Sequence, residues 1–248
     1  MRLKLISCEI LYREICASLA RSPHQIDVEF MPKGLHDIGG AGMRDRLQAV
    51  VDRVDESLYN AVILGYALCG MGLAGLTARG IPVVLPRGHD CITLFLGTRE
   101  RYMNYFTNHP GVYFKTSGWI ERGRDLDQLG PDSFYRKSGL GLTYQEMVDK
   151  YGEENAKFLW EEIGGYTKNY GKLTFIEMGI EPDERFEVQT QQEAAEKGMG
   201  YEKVQGDMRL IRSLVNGEWN DKEFLVLEPG YRVVARHDDM VISSEKAS

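Results

Sequence analysis

The sequence predicts an α/β protein: a Rossmann-like, mainly parallel sheet with helices on both faces, followed by a second, smaller α/β unit. Short apolar runs that read as strands alternate with stretches of helical periodicity over residues 1–120. Helix-length segments separate those runs, as the crossovers of parallel strands require. At 248 residues, 43% hydrophobic and 27% charged, the chain is large enough to bury a substantial core and unlike a disordered one.

The elements follow in order. Residues 3–10 read as a first strand and 11–19 as a short helix. Residues 26–31 form a second strand, stopped by Pro32 and Gly34, and 43–54 have helical periodicity. Residues 61–66 read as a buried strand, 73–78 as a short helix, and 81–85 as a fourth strand closed by Pro86. A single long helix is expected over 91–106 and a fifth strand of the same sheet over 112–115. Residues 121–170 read as a loop and a long helix, with Phe158, Leu159, Trp160 and Ile163 near its apolar side. Strand, helix, strand, helix and strand patterns over 171–235 define the second unit, and 236–248 read as a loosely held polar tail.

Charge narrows the partners. There are 30 Lys and Arg against 37 Asp and Glu, a formal net charge of -7. That balance disfavours nucleic acid or an anionic membrane as the main partner. The start MRLKLISCEI does not resemble a signal peptide, and no apolar run approaches a membrane span. A cytoplasmic location is therefore expected, with cysteines packed, catalytic or metal-bound rather than paired in disulfides.

In open α/β sheets ligands bind beyond the carboxyl ends of the strands. Cys8 falls near the end of the first strand, Cys69 past the third and Cys91 past the fourth. His36 lies past the second, and His89 and Asp90 immediately precede Cys91. One sheet edge thus gathers three thiols, two imidazoles and a carboxylate. Thiolate and imidazole suit zinc, and three cysteines also suit a [4Fe-4S] cluster with one iron left open. Scattered cysteines are commonly just small core residues, and no C-x-x-C pair strengthens the pattern. Cys16, mid-helix, reads as core. Asp90 reads first as a helix cap, with Cys91 in the first turn and its thiol pKa lowered there.

Gly70 and Gly72 lie in the run Gly65-Tyr66-Ala67-Leu68-Cys69-Gly70-Met71-Gly72, between a strand and a helix. They would let backbone approach a cofactor closely or simply pack tightly; the dinucleotide spacing is absent. Arg13 and Glu14 could orient site groups but read first as a solvated helix face, and Glu177 reads as a strand-end carboxylate, commonly structural, that could face the site. His24, His109 and His237 lie in polar or turn contexts.

Cys8, Arg13-Glu14-Ile15, Leu35-His36, Tyr66 before Cys69-Gly70, His89 with Cys91, and Gly111-Val112-Tyr113-Phe114-Lys115-Thr116 occur in that order. The pattern resembles the uncharacterised family named domain of unknown function 1638 over residues 1–120, with a weaker echo at Gly206-Asp207. The family often has proline-histidine-cysteine where this chain has His89-Asp90-Cys91. Its members are often encoded beside corrinoid-dependent methyltransferases, so the resemblance implies one-carbon metabolism and a corrinoid protein or methyltransferase as partner. This sequence lacks the D-x-H-x-x-G cobalamin signature, so any corrinoid would be carried by that partner.

The functional expectation is a metal-dependent enzyme acting on a small molecule. Cys8, Cys69 and Cys91 would hold the metal, and His89, Asp90 or His36 would complete the shell or move protons. The alternatives are an accessory protein of corrinoid-dependent methyl transfer and a metal-free thiol enzyme using Cys91 as nucleophile.

Overall fold

The computed structural model describes residues 1–109, 111–122, 144–158 and 171–247. Its first elements are β1 (Arg2–Cys8), α1 (Tyr12–Leu19), β2 (Gln25–Met31), α2 (Gly39–Asp52), β3 (Ala61–Gly65) and β4 (Val83–Pro86). Then come α3 (Cys91–Leu96), α4 (Arg99–Asn108), β5 (Val112–Lys115), α5 (Ser117–Arg122) and α6 (Tyr144–Tyr151). The remainder holds β6 (Lys172–Glu177), α7 (Arg185–Glu196), β7 (Gly200–Gln205), α8 (Arg209–Val215), β8 (Phe224–Leu227), β9 (Tyr231–Ala235) and β10 (Ile242–Lys246).

The main sheet has the order β2-β1-β3-β4-β8. Its first four strands are parallel, and β8 closes the edge antiparallel to β4. The continuous apolar run Ala61–Gly65 explains why β3 lies in the middle, since a central parallel strand is covered on both faces. A second sheet, β5-β6-β7, is wholly parallel. β9 and β10 form an antiparallel hairpin. Among the described residues no helix is long and apolar enough to cross a membrane.

The structure redraws several sequence expectations. The strand at 112–115 is not the fifth strand of the first sheet but pairs with β6. The strand at 224–227 leaves the second unit and joins the first sheet beside β4. Both are four-residue strands, too short to encode a partner. The all-apolar Phe-Leu-Val-Leu of β8 suits the main core, whereas half-buried β5 suits an edge. The helix expected over 91–106 is two helices, divided where Gly97 turns left-handed (φ 80°) and the Thr98 hydroxyl caps α4. Over 73–78 there is no helix: 73–75 are turn and Thr77 makes an antiparallel bridge to Arg232. Of the long helix expected within 121–170, residues 159–170, with Leu159, Trp160 and Ile163, lie outside the described residues. Phe158 is exposed.

The polar tail is anchored, not loose. β10 pairs with β9, and Val241 and Ile242 are fully buried. Arg87 explains the anchoring. Its guanidinium, largely buried, donates to the carbonyls of Asp221, Phe224, Met240 and Ile242. One cation thus ties the β4 exit to β8 and to the C-terminal hairpin.

The two sheets are joined at α5. A Cβ on Gly118 would fall 1.8 Å from the Ile10 carbonyl oxygen, so only glycine permits this approach. Alongside, Arg13 makes a bidentate ion pair with Glu121 of α5, at 2.7 and 2.5 Å. Glu14 is not on a solvated face: it is 0% exposed, and both carboxyl oxygens lack hydrogen-bond partners.

Burial pushes the Glu14 carboxyl up to about 8. The folded chain therefore keeps a proton that the unfolded chain, with an ordinary glutamate value near 4.5, releases. The contribution of Glu14 to stability is complete below that unfolded value and is lost as pH rises through about 8. Across this window wild type should lose on the order of 1 kcal/mol per pH unit relative to Glu14→Gln. Denaturant unfolding of both proteins at several pH values measures this, and a pH-independent difference would contradict it.

Candidate functional site

The chain leaves β1 for β2 on one side and crosses to β3 on the other, so the connections diverge between β1 and β3. Such a switch point opens a crevice beyond the carboxyl ends of the strands. Cys8 ends β1, and Cys69 follows β3. Backbone bonds then bring the next loop alongside: Leu68 N–H donates to the Gly88 carbonyl and Cys69 N–H to the His89 carbonyl, both at 2.9 Å. This pairing sets Cys69 beside the start of α3, where Cys91 sits.

The result is a cleft of about 590 Å³. Cys69, Gly70, Asp90, Cys91 and His36 line it from the first sheet's edge. Gly111, Val112, Tyr113 and Phe114 of β5 and its approach, with Trp119 of α5, line it from the second unit. Tyr102 and Phe106 of α4 and Met43 of α2 complete the walls. Five of the eight residues singled out from the sequence thus share one cavity.

The other three lie around it. Cys8 is 2% exposed, within electrostatic reach of Cys69 and Cys91, and beside the buried Tyr66 hydroxyl, which it does not meet in regular hydrogen-bond geometry. His89 is exposed and stacks on Tyr102, ring centroids 6.1 Å apart. Gly72 packs rather than binds: a Cβ there would fall 2.3 Å from the Met43 sulfur. Among the described residues, no three His, Cys, Asp or Glu side chains are already arranged to hold a metal ion.

Backbone strain marks the cleft mouth. Cys69 (φ 46°), Gly70 (φ 61°) and Met71 (φ 73°) are consecutively left-handed. Glycine takes this at little cost, but each of the other two costs on the order of 1–3 kcal/mol. The Gly72 N–H bond to the Cys69 carbonyl, 3.1 Å, closes the turn.

Electrostatics separate the groups. Burial pushes the Cys8 thiol up to about 12 and raises Cys69 and Cys91 further, with neighbouring Asp90 and the other thiols adding to the rise. The expected lowering at Cys91 is therefore reversed. α3 has only six residues, and its N-terminus does not offset removal of Cys91 from water. Asp90 caps α3 as expected, accepting from Ile92 N–H at 2.9 Å, and also accepts from the Tyr102 hydroxyl at 2.9 Å. Burial raises its pKa. His36 is driven toward the neutral form, first by burial and then by Lys33, and its buried Nε2 has no partner.

Other candidates fall away from the cleft. Glu177 reaches Lys203 at 3.4 Å on the far edge of the second sheet. Cys16 is half-buried in α1, not in the core. Sequence reasoning missed the aromatic wall. Tyr113 and Phe114 lay within a motif already singled out, but no local signal joins Tyr102 to Asp90.

The fold and cleft define an α/β protein with a thiol-lined cleft at the carboxyl edge of its main sheet. The chain belongs to the family described as "Protein of unknown function (DUF1638)", which matches residues 30–215. No curated protein and no solved structure matches it.

Because all three thiols are held in the protonated form, the folded, metal-free protein should alkylate slowly near neutral pH at Cys8, Cys69 and Cys91. Half-buried Cys16 should be modified first. Peptide mapping after timed iodoacetamide labelling reads the order, and prompt labelling of Cys91 would contradict it.

Proposed function

We propose that the chain is a metal-dependent enzyme acting on a small molecule bound in the cleft, with Cys8, Cys69 and Cys91 as the metal-holding residues. The observation that carries this reading is the meeting of Cys69, Cys91 and the partnerless His36 Nε2 on one cavity at the switch point, with Cys8 behind it. Drawn together around a metal, three thiols and a neutral imidazole would be a donor set suited to zinc, and three thiols alone to an open [4Fe-4S] cluster. Buried thiols whose thiolates would repel one another also resist ionisation until a cation compensates them, so metal binding would release their protons. When bound, such a centre supplies Lewis-acid activation to the substrate.

The protein's own groups have separate tasks. Neutral His36 accepts a proton or completes the donor set. Asp90, fixed by Ile92 N–H and Tyr102, orients the substrate's polar end. The aromatic wall from α4, β5 and α5 excludes water. Exposed His89, stacked on Tyr102, is a second candidate to move protons. A corrinoid protein or methyltransferase would be the partner that supplies or receives a methyl group, a role supported by the resemblance alone.

Elemental analysis of anaerobically purified protein tests the reading. About one zinc, or about four irons, per chain is expected. Cys8→Ser, Cys69→Ser and Cys91→Ser should each lose most of it with circular dichroism unchanged, whereas Cys16→Ser should retain it. Metal-free protein that cannot be loaded would overturn the reading, and co-purification of such protein with a methyltransferase would favour the accessory role.

A further inference from the structure

The walls of the cleft carry an electrostatic character that the thiols do not explain. Among the described residues, Asp90 is the one Asp, Glu, Lys or Arg that lines it. Its apolar walls are chiefly ring surfaces: Tyr102, Phe106, Tyr113, Phe114 and Trp119. The face of an aromatic ring is electrostatically negative and attracts cations within about 6 Å of its centroid.

Two of these rings already receive ammonium groups of the protein itself. Lys33 Nζ lies 4.3 Å from the Trp119 centroid, and Lys115 Nζ lies 5.3 Å from that of Tyr113. Neither lysine is among the residues that line the cleft. The charge of Lys115 is offset by Glu193 at 2.9 Å. Tyr102 and Phe106 stack with centroids 5.8 Å apart and planes at 14°, a flat wall that begins at the Asp90 carboxylate.

This combination discriminates between ligand classes. Among the described residues, an anion would meet a carboxylate and ring faces with no lining lysine or arginine to hold it. A hydrocarbon would seal the Asp90 carboxylate from water without a counter-charge, which is costly. A cation clothed in alkyl groups satisfies both surfaces at once.

We propose that the ligand of this cleft is an organic cation with alkyl substituents on its charged nitrogen, its alkyl groups against Phe106 and Trp119 and its charge facing Asp90. The proposal rests on reading the cleft as the substrate site, but it does not require the metal.

Isothermal titration with three probes tests it: choline, its neutral isostere with tert-butyl in place of trimethylammonium, and the anion tert-butylacetate. Each is titrated into zinc-supplied and chelator-treated protein. Choline should bind at least about tenfold more tightly than the neutral isostere, with no measurable heat from the anion. Asp90→Asn, which keeps a good helix cap, and Phe106→Ala should each weaken choline by about tenfold, with circular dichroism unchanged. Equal binding of choline and its isostere, preference for the anion, or no choline binding would overturn the proposal. So would folded variants that bind choline as wild type does. Choline binding by protein that takes up no metal sustains the cation site while removing the metal reading; metal uptake without choline binding does the reverse.

Discussion

The parallel pairing of β1 with β2 on one flank and β3 on the other governs the rest of the molecule. Backbone groups of β1 are satisfied on both sides, and Leu3, Leu5 and Ile6 are fully buried between layers. Since the chain must leave β1 in one direction and return on the other side, the connections part at its carboxyl end. The loops after β3 and β4 pair with each other at that gap. Cys8 ends β1, Cys69 lies in the loop after β3 and Cys91 begins the helix after the β4 loop, so their proximity follows from strand order rather than from any local spacing.

The same burial that assembles the site sets its chemistry. Removal from water raises all three thiols and Asp90 and lowers His36. The thiols and the imidazole are thereby held in their uncharged forms, and Asp90 is pushed toward its own. Arg87 faces the opposite problem nearby. Its charge is accommodated by four backbone carbonyls, which turns a costly buried guanidinium into the clasp of the C-terminal hairpin.

The second sheet gives the cleft its far wall. β5 and α5 reach the first sheet's edge because Gly118 allows backbone contact with Ile10 and Arg13 grips Glu121. Thiols therefore come from one sheet and most of the aromatic lining from α4 and the other unit. Displacing α5 would alter the cavity without touching a cysteine.

The sequence by itself determined the α/β class, the parallel β1–β4 core and the candidate edge. Apolar runs of strand length separated by helical segments admit few other arrangements, and strand ends locate loop residues whatever the strand order. Asp90 as a cap was legible for the same reason, because capping is settled within a few residues. Only the tertiary structure decided where the short strands β5 and β8 pair, since four residues carry a period but not a partner. It also decided that Glu14 is sealed among α1's neighbours rather than solvated, and that Cys91 is held as a thiol despite starting a helix. Burial depends on what packs from distant parts of the chain, and pKa values follow burial. The aromatic wall was invisible for the same reason: Tyr102, Tyr113 and Trp119 become neighbours of Asp90 and Cys69 only when two sheets meet.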